Sequence, residues 1–180
     1  MAKKVLIPLA DGFEDIEAIT VIDVLKRAGL DVDVVGLRGI SVTSKMGLRI
    51  MLDKRLDMVK PDEYDAIILP GGSEGVENLM RSARLKEILL DFNVKGKLIG
   101  AICGAPLVLA KAGLLDNRRA TIYPGLEREL EYPRDEKVVV DGHIVTSQGP
   151  GTAMDFALKL VEILVGSQKV AQLKQKLVVE

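Results

Sequence analysis

The sequence predicts an α/β fold in which a mainly parallel sheet is covered by helices on both faces. Short apolar, β-branched segments alternate with longer segments of helical periodicity, and this alternation is typical of βαβ units. The strand segments are continuously apolar, as expected for strands that are buried on both faces. A length of 180 residues suits one ordinary domain, so we expect a single domain over residues 1–180.

The predicted strands are short and end at turn-forming residues. Four apolar runs predict buried strands at residues 4–9, 31–37, 65–69 and 97–102, and residues 49–53 predict a short additional strand. Near the C-terminus, residues 138–140 and 143–146 are expected to form a hairpin around an Asp141-Gly142 turn.

The predicted helices carry apolar stripes at helical spacing. In the first, over residues 14–28, Gly29 provides the end signal, and the stripe consists of Ala18, Val21, Ile22, Leu25 and Ala28. Further helical patterns cover residues 74–92, 104–112, 152–165 and 170–177.

Composition argues against several classes of function. The 25 basic side chains almost cancel the 26 acidic ones, so no overall charge points to nucleic acid or to a membrane surface. The apolar run after the basic start is too short for a signal peptide or a membrane span. A single cysteine cannot form an internal disulfide, so we expect a cytoplasmic protein.

Neither a metal site nor a phosphate loop is predicted. One histidine and one cysteine fall short of any usual set of metal ligands. The stretch Gly149-Pro150-Gly151-Thr152 lacks the lysine and the spacing of a phosphate-binding loop, and we interpret it as a tight turn capped by Thr152. His143 is interpreted as a surface strand residue, so no Cys-His dyad is assured.

The candidate nucleophile is Cys103, at the turn between a predicted strand and a predicted helix. In parallel α/β sheets, ligands bind beyond the carboxyl ends of the strands, where Cys103 and the Gly71-Gly72 turn are both expected. The turn resembles the strained elbow that presents the nucleophile of hydrolases, and a helix N-terminus beside the sulfur would lower the thiol pKa. The alternative is that Cys103 is a small buried apolar residue.

Three acidic residues open the first predicted helix. Glu17 lies one turn after Glu14, so its carboxyl group could extend towards Cys103 and act as a general acid or base. The alternative is that Glu14, Asp15 and Glu17 only complement the helix dipole; the residues alone favour this interpretation for Glu14 and Asp15 and do not reject it for Glu17.

Several motifs together resemble the ThiJ/PfpI superfamily, in the branch that contains the Parkinson-disease protein and its bacterial relatives. The resemblance runs nearly from end to end of the chain, and its motifs are GFEDIE, DVLKRAG, LPGG, AICGAP and TSQGPGT. It implies a flavodoxin-like three-layer sandwich, similar to class I glutamine amidotransferases, that forms a homodimer. It also implies an easily oxidised nucleophile at Cys103 and a protonated partner at Glu17.

The same resemblance implies further site residues and a function. The backbone donors of Gly72 and Gly104 would bind an oxyanion or a sulfinate, and Gly71, Tyr123 and Pro150 are further pocket positions. The activity implied is that of a cofactor-independent cysteine enzyme acting on reactive aldehydes such as methylglyoxal, or on early glycation adducts. The alternative is an oxidative-stress sensor or redox-regulated chaperone that acts through oxidation of the cysteine.

Two departures from the superfamily pattern bear on activity. Some relatives have a histidine in the segment where this chain has Ile122-Tyr123-Pro124, and a tyrosine of ordinary pKa is a poor base near neutral pH. Peptidase members carry a histidine directly after the nucleophile, where this chain has Gly104. An intracellular cysteine peptidase is therefore the least favoured of the three functions.

Overall fold

The computed structural model describes residues 1–180 and contains ten strands and six helices. The strands are β1 (Lys4–Leu9), β2 (Asp31–Gly36), β3 (Ser41–Thr43), β4 (Arg49–Met51), β5 (Ala66–Leu69), β6 (Leu98–Ile102), β7 (Arg119–Ala120), β8 (Tyr132–Pro133), β9 (Val138–Asp141) and β10 (Ile144–Ser147). The helices are α1 (Asp15–Arg27), α2 (Ser73–Met80), α3 (Ala83–Val94), α4 (Pro106–Lys111), α5 (Ala153–Leu164) and α6 (Ser167–Leu177).

Six strands form the central sheet in the order β2-β1-β5-β6-β10-β9. All neighbouring strands are parallel except β9 and β10, which pair as an antiparallel hairpin at one edge. The prediction of a mainly parallel sheet is confirmed. Because β1, β5 and β6 are adjacent and parallel, the segments that follow them meet at the same edge of the sheet.

Helices cover both faces of the sheet. Helices α1, α5 and α6 pack on one face, where residues such as Leu25, Phe156 and Leu173 form a core with every second residue of β1. Helices α2, α3 and α4 pack on the other, where Phe92 and Leu109 belong to a second core of equal size. The alternate residues of a strand point to opposite faces, so each apolar strand contributes to both cores.

Four features differ from the sequence-based expectations. The helical stretch at 74–92 is broken after Met80, because the Ser82 side chain accepts a hydrogen bond from the N–H of Leu85 and so caps a separate helix, α3. The β9–β10 turn consists of Gly142 and His143, since Asp141 pairs with Ile144, so the predicted Asp141-Gly142 turn was wrong by one residue.

The third difference is a small antiparallel hairpin. The expected strand near residue 49 exists as β4, but it pairs with β3, which the sequence analysis did not predict, rather than with the central sheet. Strands β7 and β8 form another short pair that was not predicted.

None of the helices is both long and apolar enough to cross a membrane.

Candidate active site

Cys103 follows β6 directly and has a backbone conformation that is unusual for a residue with a side chain. Its φ angle is 66°, in the left-handed region, which costs of order 1 kcal/mol for a non-glycine residue. Two backbone hydrogen bonds hold it there: its N–H donates to Ser147 (2.9 Å) and its carbonyl accepts from Tyr123 (2.8 Å). The predicted elbow is therefore present in the backbone, and the hydrogen bonds to Ser147 of β10 and to Tyr123 fix it.

The Gly71-Gly72 turn follows β5 and lies directly beside this elbow. A side chain at Gly71 would place its Cβ 2.6 Å from the Cβ of Cys103 and 2.6 Å from Oε2 of Glu17. Gly72 has a φ angle of 96°, and a Cβ there would lie 2.3 Å from the carbonyl oxygen of Gly12. Only glycines let the strand end approach the cysteine and α1 this closely.

Glu17 lies in the first turn of α1 and is fully buried. Its Oε2 accepts a hydrogen bond of 2.8 Å from the N–H of Gly71, whereas its Oε1 is buried without a hydrogen-bonding partner of good geometry. Burial raises the pKa of the carboxyl group to about 7, against the opposing effects of the Cys103 thiol and the Gly71 N–H. Near neutral pH the group therefore gains and loses a proton readily.

The thiol of Cys103 differs from the sequence-based expectation of a lowered pKa. Burial raises its pKa to about 12, and the Glu17 carboxylate adds to this effect. The backbone N–H groups of Gly104 and Gly72 favour the thiolate, as expected, but they do not compensate for burial. Helix α4 begins only at Pro106 and has six residues, so its dipole contributes little at the sulfur.

A cavity of about 310 Å³ lies above the thiol. Cys103 is half-buried at its floor together with Gly72 and Gly104. One wall is formed by Tyr123, Leu126 and Pro150, and the remaining lining residues are Glu14, Lys45 and Ser73. A small carbonyl compound fits this volume, with its oxygen near the two N–H groups that face the sulfur.

The structure brings together all of the site residues that the sequence analysis named. Gly72, Cys103, Gly104, Tyr123 and Pro150 line the cavity, and Gly71 and Glu17 pack directly beside the cysteine. His143 lies at the opposite edge of the sheet, where its Nε2 is 2.8 Å from Oδ1 of Asn93. No histidine therefore lies near the thiol. Nor is any group of three histidine, cysteine, aspartate or glutamate side chains placed to hold a metal ion.

Sequence reasoning missed the charged part of the cavity. Glu14 was expected only to complement the helix dipole, but its side chain makes no cap hydrogen bond and instead forms an ion pair of 3.4 Å with Lys45 at the cavity wall. Lys45 lies in the turn between β3 and β4. The alternation of Ser41-Val42-Thr43 and the turn former Gly47 were the signals that could have revealed this hairpin.

Comparison with known proteins places this geometry in a family. The sequence profile of the DJ-1/PfpI family matches residues 3–163 of the chain. The chain is 41% identical to protein dj-1beta of Drosophila melanogaster, over 99% of this chain and 98% of that protein. The chain belongs to the DJ-1/PfpI family. The Parkinson disease protein 7 homolog of Danio rerio is another relative, 38% identical over 99% of this chain and 98% of its own length.

Solved structures of the DJ-1/PfpI family have the same fold. The crystal structure of Drosophila melanogaster DJ-1beta superposes with a TM-score of 0.96 at 40% identity and covers the whole of both chains. Toxoplasma gondii DJ-1, solved in an oxidized form, gives a TM-score of 0.95 at 37% identity over 99% of each chain. The flavodoxin-like fold and the superfamily predicted from the motifs are thus confirmed.

Proposed function

We propose that this member of the DJ-1/PfpI family is a cofactor-independent cysteine enzyme that converts reactive aldehydes such as methylglyoxal into 2-hydroxy acids, or removes early glycation adducts. The observation that carries the proposal is the pairing of Cys103, on its strained elbow, with a buried Glu17 whose pKa is about 7. Such a carboxyl group suits proton transfer near neutral pH.

The proposed reaction begins with attack of Cys103 sulfur on the aldehyde carbon. Glu17 takes the thiol proton, a C–S bond forms, and the carbonyl electron pair moves to oxygen, where the N–H groups of Gly72 and Gly104 stabilise the negative charge. Glu17 then gives its proton to that oxygen, which yields a neutral hemithioacetal. This order of events explains how a thiol of high pKa can still act as the nucleophile.

The hemithioacetal rearranges through an enediol. The Glu17 carboxylate removes the proton from the former aldehyde carbon, the C–H electrons form the carbon–carbon double bond, and the electron pair of the adjacent ketone moves to its oxygen. The hydroxyl proton of the sulfur-bearing carbon passes to that oxygen. The electrons left by this proton form the thioester carbonyl, and the double-bond pair takes the proton back from Glu17 at the neighbouring carbon. The product is a thioester on Cys103. Water hydrolyses it, which releases the 2-hydroxy acid and restores the thiol, so the net reaction adds one water molecule to the α-oxoaldehyde.

Lactate formation from methylglyoxal tests this proposal. Reduced wild-type protein should produce lactate, Cys103→Ala should be inactive, and Glu17→Gln should lose at least about 100-fold in kcat/KM, as expected for a general acid-base group. Equal rates in wild type and Cys103→Ala would refute the proposal. Deglycation is tested in the same way with an early adduct of methylglyoxal on N-acetylcysteine.

A second function, oxidative-stress sensing or redox-regulated chaperone action, is favoured by a different observation. The backbone donors of Gly72 and Gly104 face the sulfur, and a protonated Glu17 offers a third donor to a sulfinate. Mild peroxide should then add two oxygen atoms to Cys103, detectable by intact mass, and the modified protein should suppress aggregation of a client. An unmodified thiol after treatment would exclude this role.

Cysteine peptidase activity has less support. Gly104 follows the nucleophile where peptidases of the superfamily have a histidine, and His143 lies at the far edge of the sheet. Without a nearby imidazole, no base of the usual kind activates the thiol for peptide cleavage. We expect no Cys103-dependent cleavage of an unfolded protein, and such cleavage would revive this function.

We also propose that the protein forms a homodimer through α1. Ile16 and Ile19 are 55% and 43% exposed on this helix, and the 71% exposed Met46 is anchored next to it by a hydrogen bond from its N–H to Asp15. Burial of these side chains against a second copy would remove an apolar patch from water. Sedimentation should give twice the monomer mass of 19.5 kDa, and a monomer at micromolar concentration would contradict the proposal.

A further inference from the structure

Lys45 is the single cationic side chain that lines the cavity above Cys103. We propose that Lys45 is a specificity-determining residue that selects substrates with an anionic group, so that the site takes carboxylate-bearing α-oxoaldehydes in preference to neutral ones. This inference rests on the function proposed above, which it deepens by naming a substrate class.

The loop that carries Lys45 is fixed to α1 on both sides of the residue. The N–H of Lys45 donates to the carbonyl of Phe13 at 2.8 Å. Asp15 binds the preceding Ser44 hydroxyl through one carboxylate oxygen and the N–H of Met46 through the other. The ammonium group is therefore attached to an anchored turn rather than to a free loop, and an anchored charge discriminates better between ligands.

The ion pair with Glu14 leaves the ammonium group available to a ligand. Both residues line the cavity, but the Glu14 side chain is only 9% exposed, whereas the Lys45 side chain is 47% exposed, so the ammonium group is the more accessible of the two charges. A lysine ammonium has three N–H donors, and Glu14 accepts at most some of these at 3.4 Å. The remaining donors can bind a ligand anion.

The rest of the cavity assigns opposite ends to such a ligand. The carbonyl oxygen belongs at the floor, near the N–H groups of Gly72 and Gly104, because only there can Cys103 attack. The wall formed by Tyr123, Leu126 and Pro150 supplies no cation, so Lys45 is the position where an anionic substituent is stabilised. A half-exposed cation gives modest stabilisation, about five- to tenfold in rate or affinity, that decreases as salt rises.

Alkylation of Cys103 tests anion selection without relying on turnover. Iodoacetate and iodoacetamide react with a thiolate in the same way, with loss of iodide, but only the first carries a negative charge. Because Cys103 is the sole cysteine, intact mass reports both rates without ambiguity. The ratio of the iodoacetate rate to the iodoacetamide rate cancels any change in thiol reactivity that a variant causes.

Four variants define the expected result. The rate ratio should fall about five- to tenfold in Lys45→Met, be retained in Lys45→Arg, and rise in Glu14→Gln, which removes the competing carboxylate. Lys86→Met removes an exposed lysine of α3 that does not line the cavity, and should leave the ratio unchanged. The same ratio in wild type and Lys45→Met would overturn the inference.

Turnover of two matched aldehydes then separates this inference from the proposed function. The probes are 4,5-dioxopentanoate, which carries a carboxylate, and the neutral 2-oxopentanal of equal chain length. Wild type should prefer the anionic probe in kcat/KM, and Lys45→Met should lose that preference. If both probes are consumed and Lys45→Met keeps the wild-type preference, the inference fails while the function stands. If neither is consumed, the function fails, and the alkylation ratio still decides whether Lys45 selects anions.

Discussion

The replacement Glu17→Gln offers a quantitative test of the buried carboxyl group. Glu17 is fully buried in α1, and burial raises its pKa from 4.5 to about 7. A glutamine keeps the size of the side chain, and its amide oxygen can accept the hydrogen bond from Gly71 that Oε2 now accepts. The variant therefore removes the titration with little change in packing.

The direction in which stability changes with pH follows from whether the folded or the unfolded chain holds the Glu17 proton. Between pH 4.5 and about 7 the folded protein retains a proton on Glu17 that the unfolded chain has released. The free energy of unfolding therefore falls as pH rises through this window, since stability rises with pH only where the unfolded chain binds more protons. A pKa raised from 4.5 to about 7 corresponds to a loss of about 3 kcal/mol between acidic pH and pH 8.

Urea unfolding of wild type and Glu17→Gln at pH 4.5, 6 and 8, under reducing conditions, measures this loss. Groups that titrate alike in both proteins cancel in the comparison, and the Cys103 thiol, with a pKa of about 12, does not ionise in this range. The free energy of unfolding of the variant, measured relative to that of wild type, should rise by about 3 kcal/mol between pH 4.5 and pH 8. Parallel pH profiles for the two proteins would refute the account of Glu17 as a buried acid.

Three further predictions concern the backbone and a charged cluster away from the site. Cys103→Gly should be more stable to urea than Cys103→Ala by about 1 kcal/mol, because glycine relieves the φ of 66°; equal stabilities would show that the elbow is unstrained. Gly71→Ala should lower the free energy of unfolding by about 1–3 kcal/mol and slow alkylation of Cys103, because the new Cβ would lie 2.6 Å from the Cβ of the cysteine. The control is Gly39→Ala, whose new Cβ would meet no atom within 4 Å and which should leave stability unchanged. Asp33→Asn should lower the free energy of unfolding by about 1 kcal/mol at pH 7. Burial acts to raise the pKa of Asp33, but the hydrogen bond of 2.6 Å from Tyr64, together with those from Lys54 and Lys4, outweighs it and lowers the pKa. The loss should therefore shrink on acidification below 3.8, and a pH-independent loss would contradict this.

Much of the fold follows from local sequence patterns. The runs that became β1, β5 and β6 are continuously apolar, and burial on both faces of a parallel sheet requires this pattern. The β3–β4 hairpin was not predicted as a pair because its strands have three residues each and its turn is held by Asp15, a residue far away in sequence. Such contacts leave little trace in local periodicity.

The candidate site was likewise predictable only in part. Cys103, Gly72 and Glu17 could be placed together because each follows a parallel strand, and parallel strands end at one edge of the sheet. The high pKa of the thiol could not be predicted, because it depends on burial and on the carboxyl group of Glu17 next to it. The cavity position of Lys45 depends on the hairpin and was missed for that reason.

The pH dependence of kcat/KM for lactate formation from methylglyoxal tests the pairing of Cys103 and Glu17 most directly. The rate for wild type should rise with pH through an apparent pKa of about 7, because the Glu17 carboxylate must accept the thiol proton. Glu17→Asp should keep an inflection at reduced rate, and Glu17→Gln should lose both rate and inflection. An active Cys103→Ala, or a Glu17→Gln with the wild-type profile, would contradict the account.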